Sequence, residues 1–222
     1  WWHWMGGHVT REGIAADLAA MKRAGLGGAT ILALPDAVGA YDALAIAGRP
    51  NPVKVLGAEW YDSVAYAASQ AGHLGLHLGI HNGVGYSASG GPWVDAEHSM
   101  QRVVWSSARA AGPGLVTLTL PVPDLTPPRD AWNPQPLEHG GFYRDIAVVA
   151  VEESVGRQRL ILPLAPSSRG AVVWTAPAGN WTVYRLGHTT TGKSNHPTPP
   201  EARGFETDKM DAAATERHFH AF

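Results

Sequence analysis

Gly28 to Leu34, GATILAL, is an uninterrupted apolar run that Pro35 ends. A strand that is apolar at every position must be buried on both faces, the condition of a parallel sheet covered by helices. The flanking segments supply those helices. Behind Thr10, a good N-cap, Ile14, Leu18 and Met21 recur at the spacing of one helical face, and Lys22, Arg23 and then Gly25 close the segment. After a loop with Pro50 and Pro52, residues Trp60, Val64 and Ala67 mark a second helix over 58–71, loosened and ended by Gly72 and Gly75. Short apolar runs at 1–5, before the Gly6-Gly7-His8 turn, and at 76–80 add a strand on either side. The order β-α-β-α-β with short connections predicts parallel strands and right-handed crossovers, hence a barrel or a doubly wound sheet.

The third strand runs directly into a glycine-rich, polar and aromatic loop, so that residues 77–94 read HLGIHNGVGYSASGGPWV. An α/β protein presents a binding site in this way, at the carboxyl end of a strand. Asn82, a polar amide at the end of a buried strand, is suited to bind a hydroxyl. Trp2, Trp4, Tyr86 and Trp93 could supply flat walls for a sugar ring, whereas Trp60, Trp105, Trp174 and Trp181 are assigned to packing.

Beyond Val94 the pattern changes to short β-like runs, at 102–105, 115–120, 146–151, 160–164, 171–174 and 181–186, separated by Gly and Pro. Pro177-Ala178-Gly179-Asn180 reads as a hairpin loop joining the last two. These runs predict a small all-β, sandwich-like unit. A proline-laden connection over 191–203 follows, then a short strand or strand end at 204–210 and the start of a helix over 211–222. The predicted organisation is an α/β part over 1–99, a β insertion over 100–190 and a return to the α/β part over 191–222.

Two nucleotide motifs lack their context. Gly187 to Ser194 matches G-x-x-x-x-G-K-[ST], but Pro197, Pro199 and Pro200 stand where the phosphate-binding helix would begin. Gly83-Val84-Gly85-Tyr86-Ser87-Ala88 likewise runs into Gly90-Gly91-Pro92 rather than a helix. A net charge of -2 without long charge runs gives no electrostatic case for nucleic acid. No apolar run approaches the roughly 18 to 20 residues of a membrane-spanning helix. With no cysteine, a thiolate metal site and a disulfide framework are both excluded.

Histidine metal sites fail on geometry. His77 and His81 on one strand lie about 13 Å apart at roughly 3.3 Å per residue, and His218 and His220, two apart on a helix, diverge. Oxygen ligands need no regular spacing, so Glu206 and Asp208 remain open to a hard cation. In an extended segment these two share a face and Lys209 takes the other. They could equally belong to an N-cap region, with Asp208 or Asp211 capping the last helix.

Together, Trp1-Trp2-His3-Trp4-Met5, Val9-Thr10-Arg11-Glu12-Gly13-Ile14, Met21-Lys22-Arg23-Ala24-Gly25, Glu59-Trp60-Tyr61-Asp62, Gly79-Ile80-His81-Asn82-Gly83, Ser89-Gly90-Gly91-Pro92-Trp93-Val94, Gly187-His188-Thr189 and Glu206-Thr207-Asp208-Lys209 resemble the amino-terminal part of glycoside hydrolase family 106. That family contains bacterial α-L-rhamnosidases of polysaccharide degradation. The resemblance implies an α/β fold: a partial (β/α)8 TIM-type barrel of about four βα units, with the sandwich-like β-domain inserted after the third strand. It also implies an inverting, calcium-assisted glycosidase, with the main acid and base expected beyond Phe222 and Glu206 left open as a catalytic carboxylate. Glu206 and Asp208 would then serve the sugar or a calcium ion, and His3, Trp4, His81, Asn82, Trp93, Asp208 and Lys209 would contact substrate.

The implied partners are an oligosaccharide or polysaccharide and the remainder of the same chain, and the implied location is the periplasm or the outside of a bacterium. The opening Trp1, in place of an initiator Met, reads as a segment of something longer. Four βα units alone would leave an unpaired strand edge, so the isolated chain is expected to be sticky and inactive. Two other classes are a non-catalytic carbohydrate-binding module and a hydrolase of another sugar specificity, such as a β-galactosidase-like enzyme.

Overall fold

The computed structural model describes residues 1–35, 52–131, 133–153, 160–165 and 170–222. Pro50 of the expected loop lies outside them. The chain divides into two compact units, one of Trp1–Ser99 with Lys193–Phe222 and one of Met100–Gly192.

In the first unit, strands β1 (Trp2–Met5), β2 (Gly28–Leu34) and β3 (His77–Ile80) form a parallel sheet in the order β1-β2-β3. Helices α1 (Arg11–Arg23) and α2 (Ala58–Leu74) make the two crossovers. Thr10 caps α1 by accepting the Gly13 N–H at 3.0 Å, and Gly25, at φ +77°, follows its end. Helix α2 continues through Gly72 to Leu74 and stops at Gly75 in the left-handed region, three residues later than its periodicity predicts. One glycine inside a helix costs only about 1 kcal/mol, which the packing of Ala67 and Ala71 offsets.

Trp2 and Trp4 of β1 and Ile31 and Ala33 of β2 point to the helices, where they pack with Ile14, Leu18 and Trp60. The pleat sends His3, paired with Leu32, to the other face. The segment expected to be a fourth parallel strand does not extend this sheet. Phe205 and Thr207 make isolated antiparallel bridges to Gly91, Ser194 and Ser99. Helix α3 (Ala212–Ala221) follows, capped by Asp211, whose carboxylate accepts the Ala213 N–H at 2.9 Å.

The second unit is an antiparallel sheet of β4 (Gln101–Thr119), β5 (Arg144–Glu152), β6 (Ile161–Leu164) and β7 (Ala171–Thr190), in the order β4-β7-β5-β6. The expected hairpin at 177–180 is absent, because 171–174 and 181–186 belong to one continuous strand. The Gly and Pro residues that read as a turn face a matching interruption on β4, with Gly112 opposite Gly179 and Gly114 opposite Ala176. A side chain on Gly112 would collide with the Pro177 carbonyl, so its glycine lets the two strands stay paired through the irregularity.

The ladder bends sharply there. Trp174 and Trp181 would stand about 23 Å apart on a straight strand, yet their ring centroids are 5.2 Å apart. Val172 and Ala176 from one arm of the bend share a core with Val148, Ala150, Trp181 and Val183 from the other. One folded-over sheet thus encloses the core that the sequence suggested a two-sheet sandwich would hold. Trp105, assigned to packing, is 61% exposed. It follows Val104, which is buried, so strand alternation turns it outward.

Arg185 closes one end of this core, donating to both carboxylate oxygens of Asp145 at 2.7 and 2.8 Å and to the Leu120 carbonyl at 3.0 Å. The Arg185 hydrogen bonds hold the Asp145 carboxyl below the usual aspartate range. Burial and the hydrogen bond to Asp145 push the Tyr143 hydroxyl up to about 12. A depressed carboxylate stabilises the fold above its unfolded pKa of about 3.9, and that contribution is lost as pH falls through the lower folded value. In the full-length protein, the stability gap between wild type and Arg185→Met is therefore expected to hold from about pH 7 to 5 and to narrow below about pH 4. Denaturant unfolding at stepped pH reads this directly, and a gap that widens in acid would contradict it.

Candidate functional site

The polar groups of the first unit gather beyond the carboxyl end of β3. The His81 N–H donates to the Ile31 carbonyl at 2.9 Å, carrying the β2–β3 register one residue past Ile31 and Ile80. His81 therefore falls in a row with Leu32 and His3, on the face opposite the helices. Trp1 lies on that side too, its ring edge-on to His81 at 5.7 Å. His3 and Asn82 are exposed, and His81 is half-buried with Nδ1 3.2 Å from the Gly83 carbonyl. Trp4 is on the other face, 2% exposed and edge-on to Trp2 and Trp60. Neighbours on a strand cannot both line one pocket, so Trp4 is a core residue rather than a pocket wall.

The loop after β3 is held by a crossing of two backbones. Residues 204–208 run antiparallel over 90–99, with the Gly91 N–H donating to the Phe205 carbonyl and the Asp208 N–H to the His98 carbonyl. The contact is so close that a Cβ on Gly204 would lie 1.8 Å from the Gly91 oxygen. Asn195, fully buried, fixes the approach to this crossing by donating to the Ala202 carbonyl and accepting from the Gly204 N–H.

The crossing places Glu206 against the loop. Its side chain is 8% exposed, and Oε1 accepts the Ser89 hydroxyl at 2.7 Å and the Lys209 ammonium. All of these bonds use one carboxylate oxygen. Lys209 does not take the opposite face, as an extended segment would require. The chain turns after Asp208, with Asp211 N–H donating to the Asp208 carbonyl, and this brings the ammonium back over Glu206. Asp208 is half-buried, and its carboxylate accepts the Met210 N–H at 3.0 Å, a local turn bond.

Glu206 and Asp208 as arranged do not fit a calcium ion. Calcium takes six to eight oxygen ligands, whereas Glu206 already faces an ammonium group and Asp208 serves its own turn. Among the described residues no three His, Cys, Asp or Glu side chains cluster as a metal site.

His218 on α3 completes the arrangement and is 1% exposed. Its Nδ1 faces two donors, Trp93 Nε1–H at 3.1 Å and the Gly90 N–H at 3.4 Å. Its Nε2 lies 2.6 Å from the Asn82 carbonyl. Only a neutral imidazole protonated on Nε2 satisfies all three. Trp93 is half-buried beside it, with ring centroids 5.7 Å apart, and Phe222 stacks on the imidazole at 6.1 Å.

Three of these residues, Ser89, Asn195 and His218, were not among the sequence candidates. His218 had a signal, since it lies four residues after Ala214 on the buried stripe of its helix. Ser89 had none, because its partner Glu206 lies 117 residues away, and Asn195 had none because its partners are main-chain groups of a proline-rich connection without periodicity. The end of β3 thus carries exposed amide and half-buried imidazole groups, and the loop after it a half-buried indole and a carboxylate held through one oxygen, group types that suit neutral hydroxylated ligands.

Comparison with known proteins adds three findings. The family model of glycoside hydrolase family 106, described as alpha-L-rhamnosidase, matches residues 1–166 and 158–222. A curated protein of Formosa agariphila named "Putative beta-glucuronidase" is 33% identical over 239 residues, covering 97% of this chain and 20% of that protein. The structure of a rhamnosidase from Novosphingobium sp. PP1Y superposes with a TM-score of 0.64 at 20% identity, covering 99% of this chain and 35% of that one. The chain thus spans a fifth of the length of the curated relative and about a third of the solved structure.

Proposed function

Because this chain belongs to glycoside hydrolase family 106, we propose that the protein carrying it is an inverting α-L-rhamnosidase that releases terminal rhamnose from pectic or related glycans. One observation carries this reading. Asn82, Ser89, Trp93 and Glu206, all within segments that resemble the family, converge beyond one strand end through Glu206 and His218. The sequential parallel order β1-β2-β3 supports treating this sheet as the start of a (β/α)8 barrel.

In this reading the chain's own groups bind and orient the sugar. His3, His81 and Asn82 meet hydroxyls, Trp93 covers an apolar ring face, and the second oxygen of Glu206 accepts a hydroxyl while Ser89 and Lys209 hold the carboxylate in place through the first. Inversion needs an acid and a base about 6.5 to 9.5 Å apart, and we assign both to residues beyond Phe222. Calcium, where the full-length protein requires it, would take ligands other than Glu206 and Asp208. Export to the periplasm or beyond fits a polysaccharide substrate.

The test is rhamnose release from an aryl α-L-rhamnoside by the full-length protein, with and without a calcium chelator. Glu206→Gln is expected to lower kcat/KM by about 100-fold, or about 2.7 kcal/mol, while the protein stays folded by circular dichroism. An unchanged kcat/KM would remove Glu206 from the substrate site. The name of the Formosa relative favours a second reading, a β-glucuronide substrate. The same assay run on an aryl β-D-glucuronide decides between the two.

A further inference from the structure

Resting on this glycosidase reading, we infer that His218 is a positioning residue that sets the substrate-binding geometry of Asn82 and Trp93 from beneath. Burying an imidazole among Trp93, Phe219 and Phe222 is costly unless its nitrogens are paired. Here both are paired, and with groups that belong to the loop rather than to its own helix. Nε2–H fixes the Asn82 peptide through its carbonyl, and hence the direction in which the Cα–Cβ bond of Asn82 leaves the end of β3. Nδ1 fixes the Trp93 indole through its only polar atom, and the Gly90 amide beside Ser89 as well. Ser89 in turn holds Glu206.

One ring thus ties the hydroxyl ligand, the stacking wall and the neighbour of the carboxylate to α3. The arrangement is directional, with an acceptor toward Trp93 and a donor toward Asn82, so no single apolar or amide side chain reproduces it. Small displacements of positioning groups carry large kinetic penalties, since binding energy depends on their alignment.

The test uses the full-length protein with His218→Asn, His218→Gln and His218→Phe. Asparagine can keep an acceptor near the Nδ1 position and loses the donor to Asn82. Glutamine can keep the donor and loses the acceptor for Trp93. Phenylalanine loses both. His220→Ala on the same helix, whose side chain is 80% exposed, is the control and should leave both readouts unchanged.

The expected result is a fall in kcat/KM of about 100-fold for His218→Phe and about 10-fold for each amide variant, carried mainly by KM. Amide hydrogen exchange over 81–94 is expected to quicken by at least about 10-fold in His218→Phe, with α1 and α2 unchanged. A lowered melting temperature with wild-type KM and kcat in the remaining folded enzyme would overturn the inference, because it is the mark of a purely structural role. If wild type cleaves neither aryl glycoside, the glycosidase reading fails. The exchange pattern then still decides, and unchanged exchange over 81–94 would refute the positioning role.

Discussion

Replacing Gly204 by alanine should destabilise the first unit by about 3 kcal/mol, the upper end of the usual cost of overpacking, and should reduce glycoside release at least as severely as loss of Glu206. The new methyl would run into the Gly91–Pro92 peptide, 1.8 Å from the Gly91 oxygen, 2.0 Å from its carbonyl carbon and 2.5 Å from the Pro92 nitrogen. None of these atoms can swing away as the end of a side chain could. Relief requires the two crossing segments to separate, and that separation moves Ser89 off Glu206 and loosens the bridge from Gly91 to Phe205. A denaturant midpoint measured beside kcat/KM reads both effects. Gly72→Ala is the counterpart, since nothing lies within 4 Å of a Cβ there and the residue sits inside α2. It should stabilise the protein by about 0.5 to 1 kcal/mol. A Gly204→Ala protein as stable as wild type would mean that the crossing is not as tight as described.

Trp181→Ala should have a comparable effect on the second unit, about 3 to 5 kcal/mol. Trp181 is 1% exposed, edge-on to Trp174, and its indole N–H donates to the Pro177 carbonyl at 3.1 Å. It therefore fills the inside of the bend and also ties down the residue at which β7 turns. Losing it removes packing from both arms and leaves that carbonyl unpaired. Hydrogen exchange should show 101–119 and 171–190 losing protection together while β1 to β3 keep theirs. Uniform loss across the chain would indicate that the two units unfold as one.

The first unit was legible because each of its elements carries a local signal. Thr10 and Gly25 bracket α1, GATILAL can only be a covered strand, and Gly75 stops α2. Local signals misled where the meaning of a residue depended on what lay opposite. Pro177 and Gly179 read as a turn until Gly112 is seen beside them in register. Trp105 read as core by its size, although the alternation of its own strand turned it out.

The site was legible in part. The strand-end position of His81 and Asn82 follows from the pattern alone, whereas the row that His3 shares with Leu32 is set by the pairing of β1 with β2. The contacts of Glu206 do not, because Ser89 lies 117 residues away and Lys209 reaches it only through a turn. The i, i+2 spacing of His218 and His220 says nothing of the partners of His218, which lie at separations of 125 and 136 residues.

The facing interruptions of β4 and β7 have a consequence for how such a sequence can change over time. An extra residue near Ala178, added alone, would slide 171–176 by one place along β4. That slip would turn Val172 and Trp174 to solvent and bring Val173 and Thr175 inside. Only a matching gain between Gly112 and Gly114 restores the pairing. Insertions at these two places should therefore be inherited together, and homologous sequences should show lengths there that rise and fall as a pair.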